Sequence, residues 1–274
     1  MSIQYKHVLA IALPLVLLAH AAAAQDKSDS GVQVSGNAAL VSDYVFRGLS
    51  QTWGQPALQG GVDINASRWH FGAWTSNVSR NSYPGGGVEL DLFGDVGLFT
   101  RGDWSARAGL YGYFYLGANL DHALPSLGSR SLDTAEANLS LTWRAWTLKY
   151  SRALTDYFGA DVEQGYTGST RGTQYLQIDG AIPLAKDWSL QPHAGYTDYA
   201  AGVRTPLPGG ARDPSYADFG IALKFAPSQR FAVSLGVTHA TNAAFYRHAT
   251  SFLDAFEQKD VGGTRVVLSL STTF

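Results

Sequence analysis

The chain has 274 residues, a formal net charge of −2, no cysteine, 30 glycines and 12% aromatic residues. The slightly acidic balance argues against nucleic acid as a partner, and the missing cysteines exclude disulfides, thiol catalysis and cysteine metal sites. Stability has to come from the fold alone.

The first residues read as an export signal. After Lys6 and His7 comes the apolar run VLAIALPLVLLA, followed by small residues with an A-x-A site at Ala22 and Ala24. Residues 1–24 are therefore expected to be a signal peptide cleaved after Ala24, with 25–274 as a single exported domain. The run is shorter than the ~20 residues that a spanning helix needs, and no later stretch is long and apolar enough. The exported part is either soluble or a barrel.

From there on the chain alternates with a period of two. Twelve such segments fall near 34–47, 56–65, 69–78, 88–100, 104–116, 133–144, 146–158, 173–184, 188–199, 216–226, 230–242 and 264–274, and none shows helical periodicity. The connections NASR, RGD, RA, AKD and APSQ are tight turns, and each alternates with a longer, turn-rich loop. Short turns at one end and long loops at the other are the pattern of an up-and-down transmembrane barrel, and an even strand count puts both termini at the short-turn end. The predicted fold is all-β, a transmembrane antiparallel barrel of about twelve strands.

Side-chain parity agrees. In VELDLFGDVGL, Val88, Leu90, Leu92, Val96 and Leu98 share one face, and Glu89, Asp91 and Asp95 share the other. A charge facing lipid at the midplane costs ~2–4 kcal/mol, so the charged face should be the inner one. Trp69, Trp104, Trp143, Trp146 and Trp188 all flank short turns, where an interfacial girdle belongs. In the final RVVLSLSTTF, Val266, Leu268, Leu270 and Thr272 alternate with Arg265, Val267, Ser269, Ser271 and Thr273. The last strand is expected to close on the first, with Phe274 as the signal read by barrel-assembly machinery.

The stretch beginning GNAALVSDYVFRGLSQTWGQPALQGG resembles the start of a bacterial family catalogued as conserved proteins of unknown function and called TorF-type porins. The matching elements are SDYVFRG at 42–48, SQT at 50–52, PALQGG at 56–61 and the W-x-SN of 74–77. The resemblance implies an outer-membrane barrel with a channel role, and no particular substrate. Through SDYVFRG and the residues just before it, the parity predicts Asp43, Val45 and Arg47 inward and Leu40, Tyr44 and Phe46 outward.

The usual catalytic signatures are missing: the chain has no G-x-S-x-G, no H-E-x-x-H, no P-loop and no paired-ligand histidine spacing. Neither enzymatic activity nor a cofactor or metal is expected. Gly85–Gly87 reads as a flexible loop tip. The chemistry then lies on the inner wall, with pore-lining candidates Asp43, Arg47, Glu89, Asp91, Asp95, Arg107, Tyr111, Tyr113, Glu136, Arg144, Lys149, Lys224 and Arg265. Asp63 and Asp179 share their parity.

If these charges stand apart across water they set up a transverse field, as in a porin; if they pair between neighbouring strands they plug the lumen. The first alternative is a narrow passive channel for small polar solutes. The second is a non-conducting barrel whose outer loops bind a partner. Either sits in the outer membrane of a Gram-negative bacterium, in contact with lipid and lipopolysaccharide.

Overall fold

The computed structural model describes residues 31–205 and 209–274; the expected signal peptide lies outside the described residues. Twelve strands form one antiparallel meander. They are β1 (Val32–Val41), β2 (Ala57–Ala66), β3 (Trp69–Asn77), β4 (Val88–Arg101), β5 (Trp104–Leu116), β6 (Thr134–Trp143), β7 (Trp146–Ala153), β8 (Gln174–Gly180, continued by Ile182–Ala185), β9 (Trp188–Asp198), β10 (Tyr216–Phe225), β11 (Phe231–Ala240) and β12 (Arg265–Thr273). Each strand pairs with the next, and β12 pairs with β1, so the sheet closes and no edge is left open. The strand count matches the sequence reading.

Closure is finished by the last residue. Gly36 N donates to the Phe274 carbonyl at 2.7 Å and Phe274 N donates back at 2.9 Å. The Phe274 ring lies over Gly36, in the space a Cβ there would take. Bare glycine backbone covered by a cross-strand aromatic is a way to keep a strand joint packed.

The outer surface is apolar in register. Leu40, Leu58, Phe71, Leu92, Leu110, Leu139, Leu148, Leu176, Ile221, Leu235 and Leu268 are all exposed, although a water-soluble fold would cover most of them. Trp69, Trp104, Trp143 and Trp188 are exposed at the short-turn end, and Trp104 and Trp143 stack at 5.8 Å. Indoles in that place sit at the level of lipid headgroups. Leu98 and Phe99 both face outward because β4 carries a bulge between Gly97 and Phe99.

Short turns and long loops separate to opposite ends, as expected. The long loops bond to one another over the mouth: Leu124 N donates to Phe252 O at 2.7 Å, Phe252 N to Asn81 O at 2.9 Å, and Ser79 N to Gln51 O at 2.9 Å. Gly85 and Gly86 are held in this layer, so the segment read as a flexible tip is packed. A Cβ on Gly85 would run into His122, and one on Gly86 into Ala118.

Candidate functional site on the inner wall

The outer half of the lumen is filled by the chain between β1 and β2. At Val41 the strand ends, and Val45–Phe46 pairs with Leu49–Ser50 across a turn in which Arg47 and Gly48 have φ of 48° and 75°. Two consecutive left-handed residues make the tight hairpin turn that suits a twisted ribbon. The hairpin points into the barrel. Tyr44 and Phe46, assigned to lipid by parity, are therefore inside, at 1% and 6% exposure. Parity holds only while the backbone stays extended, and here it fails where β1 ends and the chain bends at Ser42 and Asp43.

Asp43 anchors the hairpin, accepting hydrogen bonds from Ser50 Oγ at 2.6 Å, Thr52 Oγ1 at 2.9 Å and Arg265 Nη1 at 3.1 Å. Arg47 reaches the opposite wall. Its Nη1 and Nη2 donate to Glu136 Oε1 and Oε2 at 2.8 and 2.7 Å, and Nη1 also donates to Tyr157 Oη at 2.7 Å. Its guanidinium lies 4.1 Å from the Tyr175 ring centroid. Burial in this packing pushes the Tyr157 phenol up to about 12, so it stays neutral and accepts from Arg47.

Tyr111, Tyr113 and Tyr115 of β5 run along the same wall. Tyr113 Oη donates to Glu136 at 3.2 Å, Tyr111 Oη to Asp91 at 3.2 Å, and Tyr115 Oη to Glu89 at 3.1 Å. Glu89 and Asp91 are 1% and 0% exposed and meet phenols rather than any cation among the described residues. Glu89 Oε2, Asp91 Oδ1, Tyr44 Oη and Trp74 Nε1 reach no partner there.

Two histidines, neither of them among the pore-lining candidates, are organised alike. His70 on β3 sits between Asp63 on β2 (3.0 Å) and Asp95 on β4 (2.8 Å). His193 on β9 sits between Asp179 on β8 (2.6 Å) and Asp218 on β10 (2.7 Å). An imidazolium satisfies both carboxylates of each trio, since both its ring nitrogens donate. The two trios are six strands apart, on opposite walls. The available signal was an inward histidine with an inward aspartate directly across on one neighbouring strand (Asp95, Asp179) and diagonally placed, two residues off, on the other (Asp63, Asp218).

The other candidates divide. Arg107 Nε bonds Asp95, and Lys149 lies 5.5 Å from the Tyr111 ring on the inner wall. Lys224 is an inward, 7% exposed residue of β10. Arg144 is a correction: it occupies the turn between β6 and β7 with φ 53°, its side chain is 65% exposed, and its Nε donates to Asp103 at 2.8 Å. It lines the short-turn rim rather than the lumen.

Most wall charges are thus neutralised locally, by a neighbour or by the inturned hairpin. Several inward polar atoms are not: Gln59 Oε1, Ser151 Oγ, Gln191 Oε1 and Thr197 Oγ1 have no partner among the described residues. Polar groups left over in this way need water.

An oily exterior, a closed twelve-strand wall and a polar interior define a transmembrane β-barrel of porin-like fold. The chain belongs to the bacterial family of unknown function described as Gcw_chp, whose model matches residues 25–274. No curated protein matches it. Its fold is similar to that of the NanC porin, with a TM-score of 0.53 and 8% identity over 88% of this chain and 99% of that one. It also aligns with the KdgM porin solved in complex with disordered oligogalacturonate, at TM-score 0.49 and 6% identity over 88% and 98%. The outer membrane channel DcaP of Acinetobacter baumannii aligns at TM-score 0.42 and 11% identity over 90% and 99%.

Proposed function

We propose that this protein is a narrow outer-membrane channel for small polar solutes in a Gram-negative bacterium, of the kind called TorF-type porins, without enzymatic activity. The observation that carries the reading is the inner wall itself: polar or charged side chains face inward on every strand of the closed sheet, from Asn37 on β1 to Ser269 on β12. Such a wall suits a water column better than a sealed core. Phe274, exposed at the end of the closing strand, is the feature offered to barrel-assembly machinery, and the apolar belt is the surface offered to lipid and lipopolysaccharide.

A second reading, a non-conducting barrel whose loops bind a partner, is favoured by the packed outer mouth, where Tyr44, Phe46, Trp74, Tyr113 and Leu120 form one buried cluster. Reconstitution into a planar bilayer separates the two. Discrete conductance steps are expected from protein whose gel mobility changes on boiling. Folded protein that gives only baseline current leaves the second reading in place.

A further inference from the structure

Among the described residues, Lys224 is a lumen cation without a counter-charge. Lys224 is buried to 7% exposure, yet among the described residues no ion pair, hydrogen bond or ring contact engages its ammonium. Carboxylates on its own strand and on β8 are spent elsewhere, since Asp218 and Asp179 both hold His193. Asp218 is also six residues up the strand, ~20 Å away at ~3.3 Å per residue. With no wall carboxylate beside it among the described residues, the ammonium is left to the lumen, where an anion gains a charge-assisted contact that no wall group offers.

Its neighbours are suited to that role. Ser189 on β9 and Ser234 on β11 stand directly across from Lys224, and Ser269 on β12 stands across from Ser234. All four side chains point inward at one level, with directly paired Cβ atoms ~4.5–5.5 Å apart. Ser234 and Ser269 are buried, and none of the three hydroxyls is used in a hydrogen bond among the described residues. On β9, two residues beyond Ser189, Gln191 Oε1 is likewise unpartnered. The row lies near the short-turn end, away from the aromatic packing of the outer mouth.

We infer that the wall formed by Ser189, Lys224, Ser234 and Ser269 is a binding subsite for the carboxylate of a small anionic solute. The ammonium supplies the charge, and the hydroxyls donate to the carboxylate oxygens. This deepens the channel reading and rests on it for its meaning, because it names the solute class that the lumen selects.

The test uses the full folded barrel and succinate as the probe. Calorimetric titration in detergent is expected to show succinate binding that Lys224→Gln weakens at least about fivefold, that Lys224→Arg retains, and that the double change Ser234→Ala/Ser269→Ala weakens with the charge kept. In bilayers, the anion-to-cation permeability ratio under a KCl gradient should fall with Lys224→Gln and not with Lys224→Arg. Succinate binding that is absent, or unchanged in Lys224→Gln, overturns the subsite whether or not the barrel conducts. Binding lost in Lys224→Gln by a barrel that never conducts keeps the subsite and removes the channel reading.

Discussion

Arg47 and Glu136, 89 residues apart, meet as a two-bonded ion pair inside the barrel, with N–O distances of 2.8 and 2.7 Å. The pair ties an inturned hairpin to β6 and so narrows the outer mouth. Removing one partner strands the other charge, and the resulting loss for a buried pair is ~3–5 kcal/mol. Arg47→Ala is expected to lower the unfolding temperature in detergent, expose 42–55 to protease and raise single-channel conductance. The double change Arg47→Met/Glu136→Leu should recover most of the stability. Protease resistance unchanged in Arg47→Ala would show that the hairpin is held by packing alone.

Glu89 and Asp91 present the opposite case, two buried carboxyls with phenols for partners and no cation among the described residues. Ionised carboxylates in that setting cost free energy that an amide does not. Glu89→Gln or Asp91→Asn should therefore leave the melting temperature unchanged or raise it at pH 8. A fall of several degrees in both would mean that the charges are compensated through the lumen.

The wall was legible in the sequence and its contents were not, for one physical reason. Lipid outside and water inside impose a rule on every strand residue, so Leu139 and Ser140 announce their faces one by one. The hairpin obeys no such rule. SDYVFRG keeps the alternation of β1 in its sequence, but β1 ends at Val41 and the chain bends at Ser42 and Asp43, so Tyr44 and Phe46 are carried inward before the turn at Arg47 and Gly48 is reached. Arg144 failed similarly, at a left-handed turn residue. The Asp–His–Asp trios depend on strand register, and register follows from closure rather than from any local motif.

Gly36 and Phe274 make the seam of the barrel, and they act as a unit. A Val at position 36 puts its Cβ into the space of the Phe274 ring, whereas Phe274→Ala uncovers the Gly36 backbone. Each change is expected to cost about 1–3 kcal/mol, and the double change less than their sum, because both remove the same contact. The measurement is the temperature at which the unheated gel form disappears. Full additivity would place the two residues in separate interactions.

Membrane orientation is tested most directly by neighbouring residues of opposite face. Leu139 is 51% exposed at the middle of β6, and Ser140 beside it points inward, across from Arg107 and Lys149. Arg at 139 must place its guanidinium in hydrocarbon, at ~2–4 kcal/mol for a midplane site, and folding into vesicles should lose that much stability. Arg at 140 meets water, so its cost is limited to repulsion from Arg107 and Lys149 and should shrink in high salt. The expected signature is a loss at 139 that salt does not relieve and a smaller one at 140 that it does. Equal, salt-relieved losses at both positions would mean that Leu139 does not face lipid.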